Sequence, residues 1–305
     1  MVARGRTDVR TWEALIADGL DEAARRWKLP NDRLPAMRLH ERHSPLGHRI
    51  LVSEYDPMAH EVVFHLDDLA ACVDNGWAEA TVLTRYLAHH ELGHAAELPL
   101  LQRSGLNPYL HQVDRPLERA WQVRHWADLR LAAHAMVNGI MDYAINQQLG
   151  QWGLIAPLSL DMVLGDLVRR TAAKPDSIAY QVRRDLLAHF NRVLFSDRAD
   201  RANAQRLQQL CERIVGAAEW GWVAAALAGV RFGEGEGYEA ALPKVAAALF
   251  PELAVSVRAT PTDALPKGTR MPKGWTAPTM RYFHWERAAA TRSTSTAPVG
   301  SAAGV

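Results

Sequence analysis

Ala88-His89-His90-Glu91-Leu92-Gly93-His94 is the stretch on which the reading of this chain turns. It lies inside Ala78 to Glu97, where Val82, Leu83, Tyr86, Leu87, His90 and His94 recur at helical intervals. The capping residues Asp74, Asn75 and Gly76 come before it and Pro99 after it, so the spacing predicts a helix. On that helix His90 and His94 stand one turn apart on one face, and two imidazoles can grip one ion. Zinc takes imidazole nitrogen at about 2.0–2.1 Å and keeps a water when the protein supplies three ligands, the arrangement of a catalytic site. Glu91 is then placed to take a proton as that water attacks a carbonyl and to pass it to the leaving amine. A solvent-facing helix that merely carries His and Glu is the plainer alternative.

Upstream, Trp12, Leu15, Ile16, Leu20, Ala23, Ala24 and Trp27 predict an amphipathic helix over Thr11 to Lys28. Arg49 to Ser53 and Glu61 to His65 read as strands joined through the turn-rich Glu54-Tyr55-Asp56-Pro57, which predicts a small antiparallel sheet. Downstream, Leu100 to Asp114 reads as a connecting loop. Pro116 to Gln148 reads as one long helix, with Gly139 the point where it could break. Helical periodicity continues over Leu158 to Thr171, Ile178 to Phe195, Ala202 to Ala218 and Tyr238 to Leu249. Pro251 to Pro278 has little periodicity, and Ala288 to Val305 has almost no bulky apolar residue, which predicts an irregular segment and a disordered tail. The expected fold class is α+β and mostly helical: a metal-binding part with a small antiparallel sheet over residues 1–155, a helical domain over 156–255, an irregular segment over 256–287 and a tail over 288–305.

The chain has 305 residues, of which 48% are hydrophobic and 23% charged, enough for a sizeable core. A net charge of +1, with arginines scattered among acids, offers no field to hold a phosphate backbone, so no nucleic-acid partner is expected. Cys72 and Cys211 are far apart, which excludes a disulfide framework or a cysteine zinc ribbon and leaves His and carboxylates to hold any metal. Met1 to Leu20 is interrupted by charges and lacks a signal-peptide core, so a cytoplasmic location is expected. Trp220 to Val230, the most apolar run, is far shorter than the ~20 residues of a membrane span and reads as a buried helix; no membrane partner is expected, and the oligomeric state is not legible.

A catalytic zinc needs a third ligand. Asn138, Asp142 and Asn146 fall in one row at four-residue spacing on an otherwise apolar helix, and a polar row there wants an explanation. Asp142 ranks first, with Asn138 and Asn146 orienting ligands or water; Glu118 and then His134 follow, and Glu97 ranks below them. The alternative for Asp142 is a buried helix carboxylate paired with Arg124, Arg130 or another cation. Among the remaining histidines, His40, His43 and His48 read as a solvated loop, His89 as a packing or supporting residue, and His65 as able to approach a cleft.

With these residues the chain resembles the zincin (HExxH) metallopeptidases over about residues 45 to 150. The resemblance implies a zinc-dependent peptidase acting on a peptide or protein substrate, with His90 and His94 as ligands and Glu91 as general base. It also implies that Glu61 to His65 is the edge strand, able to pair with an extended substrate. Glu97 and Leu100 stand where the metzincin extension needs Gly and His, so that subfamily is excluded. Asp142-Tyr143-Ala144-Ile145-Asn146 is similar to the Asp-Tyr-x-Ile-Asn motif of a bacterial metallopeptidase-like family often encoded with a von Willebrand factor type A-like domain, which implies Asp142 as third ligand. The competing reading is a non-hydrolytic zincin-like binding, regulatory or assembly module; retention of Glu91 speaks against it, since a purely structural site needs no base.

Overall fold

The computed structural model describes residues 9–41, 53–76, 78–155, 176–195, 201–265, 267, 269 and 271–289. Helix α1 (Val9–Trp27) turns the stripe Trp12, Ile16, Ala23 and Ala24 inward against the long helix α3 (Ala80–Arg103), which carries the HExxH motif. Instead of stopping near Pro99, α3 runs through it, because Leu98 and Leu101 are buried on the far side and hold the last turn. Gly105, at φ +74°, then lets the chain leave at a sharp angle.

Strands β1 (Ala36–His40), β2 (Ser53–Asp56) and β3 (Glu61–His65) form a sheet in the order β1-β3-β2, followed by helix α2 (Leu66–Asp74). The sheet is mixed rather than purely antiparallel: β1 runs parallel to β3, and β2 antiparallel. Two expectations are corrected. Glu54, Tyr55 and Asp56 are strand, and only Pro57 to His60 turn; Arg49 to Val52 lie outside the described residues. Glu61 to His65 is the central strand, so the edges of the described sheet are β1 and β2. A strand with Val62, Val63 and Phe64 all buried is apolar on both faces, which is the pattern of a sheet centre and not of an edge.

The expected loop Leu100 to Asp114 contains the end of α3 and strand β4 (Leu106–Val113). The single helix expected over Pro116 to Gln148 is two, α4 (Arg115–His125) and α5 (Leu129–Gln151). Trp126 closes α4 in the left-handed region at φ +51°, and the Asp128 carboxylate caps α5 by accepting from the Arg130 N–H at 2.8 Å. Gly139 breaks nothing. A Cβ there would lie 2.5 Å from Leu187 Cβ, so this glycine lets α5 approach the next helix.

Helices α6 (Asp176–Leu194), α7 (Arg201–Val215), α8 (Ala217–Ala228) and α9 (Gly235–Leu249) follow, as the periodicity predicts; Leu158 to Thr171 lies outside the described residues. Helix α8 is not wholly buried, since Trp222 is exposed. The stretch 256–287 is not irregular throughout: β5 (Leu253–Pro261) and β6 (Thr279–Arg287) pair antiparallel over nine registered positions and β4 joins β6 in parallel, while the described residues between Ala264 and Thr279 carry no helix or strand. Four consecutive residues of β6, Tyr282 to Trp285, are buried, and its partner β4 comes from the distant first part of the chain. The expected tail beyond Ala289 lies outside the described residues.

The molecule is α+β and mostly helical, with two three-stranded mixed sheets among the described residues. Two hydrophobic cores meet along α5: Ile145 and Leu149 belong with Ile16, Phe64, Leu83 and Leu92, while Met136, Ile140 and Met141 belong with Trp121, Leu242 and Phe283. Among the described residues no helix is long and apolar enough to cross a membrane.

Candidate metal centre

The seam between those cores is where α3 and α5 press together. Gly93 makes this possible: a Cβ there would stand 2.7 Å from Ile145 Cγ2 and 3.1 Å from Trp27. The close approach at this glycine is thus by side chains of α5 and α1, rather than by a neighbouring backbone. With the helices this close, His90 and His94 face Asp142. His90 Nε2 lies 3.4 Å and His94 Nε2 3.1 Å from Asp142 Oδ1, and the three donor atoms all fall within 4.8 Å of one another.

These separations exceed the roughly 2.7–2.9 Å of a direct charge-assisted hydrogen bond. Ligands about 2.1 Å from a tetrahedral zinc stand about 3.4 Å apart, so both spacing and donor set fit that ion. The alternative pairing of Asp142 with an arginine is not what the fold makes: Arg124 pairs with Glu252, and Arg130 with Glu118. Of the other candidates, Glu118 sits in that surface pair on α4, His134 faces Tyr109 at 6.4 Å between ring centres, and neither joins the cluster.

The polar row on α5 contacts the candidate ligands. Asn146 Oδ1 accepts from the Tyr86 hydroxyl at 2.7 Å and from His90 Nδ1 at 2.9 Å, which leaves the lone pair of His90 on Nε2, toward Asp142. Asn138 Nδ2 lies 3.2 Å from both Asp142 oxygens. Burial opposes charge on His90, but the contact and charge of Asp142 outweigh it and push its pKa up to about 9. Burial likewise opposes charge on Asp142, and the contacts and charges of His90 and His94 outweigh it, holding that carboxyl below the usual range. A divalent cation would replace the proton that this trio otherwise shares.

Glu91 is buried beside the cluster, and its Oε1 accepts from Ser53 Oγ at 2.7 Å. Ser53 is on β2, so an edge strand touches the candidate base directly. Tyr55, two residues along that strand and on the same face, lies parallel to the His94 ring at 6.5 Å. The hydroxyl of Tyr109 on β4 is kept neutral: burial raises its pKa well above normal, and the charges of Glu97, Asp142 and Glu91 add to that.

Several of these residues escape sequence reasoning. Tyr86, one turn before His90, was open to the spacing argument; Ser53, Tyr55 and Tyr109 were not, because their segments read as strand end, turn and loop. His89 packs away from the cluster, with Nδ1 2.8 Å from the Arg85 carbonyl and Nε2 3.8 Å from Glu22. His65 does not reach it; it is buried in the central strand near Glu54, at 3.7 Å, and the His40 ring. His43 and His48 lie outside the described residues. Glu97 is fully buried, accepting from the Gly233 N–H at 2.8 Å and from the Tyr238 hydroxyl. Burial pushes its carboxyl up to about 7 against those two bonds.

No family model matches this chain, and no curated protein or solved structure matches it.

Proposed function

We propose that the chain is a zinc-dependent peptidase in which His90, His94 and Asp142 hold the metal and Glu91 is the general base. The observation that carries this reading is the meeting of Asp142 with the two histidines at tetrahedral donor spacing, with a buried carboxylate next to them. A zinc ion held there supplies a Lewis acid that polarises a carbonyl and lowers the pKa of water. Glu91 takes the proton of the attacking water and returns it to the leaving amine. Ser53 holds the Glu91 carboxylate through Oε1, fixing its orientation. An extended peptide adds to β2, the edge strand that carries Ser53, whose backbone has a neighbour on only one side among the described residues.

The test compares wild type, Glu91→Gln and chelator-treated protein on a diverse peptide pool by mass spectrometry. Gln is nearly isosteric and accepts from Ser53, so Glu91→Gln is expected to keep zinc and fold while turnover drops roughly 100-fold or more. Equal cleavage by wild type and Glu91→Gln, or cleavage insensitive to chelator, rejects the mechanism. Zinc bound in both proteins with no cleavage by either favours the non-hydrolytic binding module.

A further inference from the structure

A second histidine–carboxylate cluster lies on the other sheet. His284 on β6 has its Nε2 3.2 Å from Asp114 Oδ1 and 4.0 Å from Glu286 Oε2. The register explains the meeting: Gln112 pairs with His284 and Val113 with Trp285, so Asp114, one residue beyond, emerges beside His284, held by its N–H to the Trp285 carbonyl at 3.0 Å. His284 and Glu286 are two apart on β6 and share its face. Across the antiparallel pair they stand opposite Ser256 and Ala254, both small side chains.

Two features make this more than a surface ion pair. The His284 side chain is only 7% exposed, yet neither of its ring nitrogens has a hydrogen-bond partner among the described residues. A buried imidazole without partners is costly. Asp114 occupies the N-cap position of α4, where an aspartate ordinarily accepts from the first-turn N–H groups, but its side chain makes no capping bond and turns to His284 instead. Glu286 has one competing contact, a 3.5 Å ion pair with Arg258.

We propose that His284, Asp114 and Glu286 form a second, weaker site for a borderline divalent ion such as zinc. One imidazole and two carboxylates suit such an ion, and the 3.2 Å and 4.0 Å separations bracket the about 3.4 Å between ligands of a tetrahedral centre. The ion would take the Nε2 lone pair and join the carboxylate ending β4 to the two ligands on β6. The site therefore clamps the first part of the chain to the last. Both carboxylates are exposed, at 49% and 41%, so solvent competes for them and affinity is lower than at a buried centre.

The test is independent of the peptidase reading. His90→Ala/His94→Ala protein, checked for fold by circular dichroism, is titrated with zinc alone by calorimetry. One equivalent is expected. Asp114→Asn or Glu286→Gln in that background, each changing an exposed group, should weaken binding about tenfold or more, and His284→Ala should abolish it. Saturating zinc should raise the melting temperature of the double variant but not of its His284→Ala derivative. No uptake by the folded double variant, or uptake indifferent to all three substitutions, overturns the proposal. Should the double variant misfold, zinc is counted in otherwise wild-type Asp114→Asn/Glu286→Gln protein; one equivalent fewer than wild type supports the site, and an equal count overturns it. Wild-type zinc lost with Asp114→Asn but kept with His90→Ala would sink the peptidase reading and leave this one standing.

Discussion

The two histidine–carboxylate clusters use similar side chains on unlike scaffolds. His90, His94 and Asp142 project from two helices packed across a glycine, and Asn146, Tyr86 and Asn138 hold them in place. His284, Asp114 and Glu286 come from a strand and a helix cap, with an unbonded imidazole and two exposed acids. Burial concentrates charge at the first cluster and makes its ligands interdependent, whereas solvent dilutes interactions at the second. Donor spacing alone therefore does not rank the sites; the supporting partners do.

The largest expected effect sharpens that ranking. Asp142→Ala should weaken zinc binding at the helical cluster by roughly 100-fold or more, because it removes a partly buried ligand and leaves two imidazoles without their carboxylate. Competition with a calibrated chelator measures it, and unchanged affinity would break the assignment of Asp142. Glu118→Ala and His134→Ala should leave it unaltered, since neither residue meets the cluster.

A second effect tests how much burial costs around the helical cluster. The Glu97 carboxyl is raised from 4.5 to about 7 in the folded chain. Folding therefore favours its protonated form, and that contribution is full below pH 4.5 and lost as pH rises through about 7. Glu97→Gln accepts the Gly233 and Tyr238 bonds without titrating. In chelator-treated protein the variant should gain on wild type by on the order of 3 kcal/mol between those limits. Denaturant unfolding at pH 4.5 and pH 8 reads the difference, and a gap that stays constant rejects the role of Glu97.

Asn146→Ala removes the acceptor that orients His90, so zinc affinity should drop roughly 10- to 100-fold with the fold retained. If affinity holds, the row on α5 is packing and not support. The smallest effect is expected at the helix crossing: Gly93→Ala forces Ile145 aside and should cost about 1 kcal/mol of stability, measured by denaturant unfolding, while loosening the zinc site. A stabilised variant would mean that α3 and α5 have slack at this point.

What was legible in sequence follows from what is local. The four-residue spacing of His90 and His94, and of Asn138, Asp142 and Asn146, needs only the helical repeat, and both rows emerge on helices as read. The helix stop at Trp126 was not legible, because a tryptophan in the left-handed region carries no turn signal.

By itself, then, the sequence determined the α3 histidine pair with its intervening glutamate, the polar row of α5 and the helical periodicity of the chain beyond it. Only tertiary structure decided that the two rows face each other, that β3 is central while β2 lies at an edge and brings Ser53 to Glu91, and that β4 pairs with β6 to set Asp114 beside His284. Side-chain periodicity is written within each element by backbone geometry, whereas strand order and helix contact depend on which distant apolar faces bury one another, and no local pattern encodes that choice.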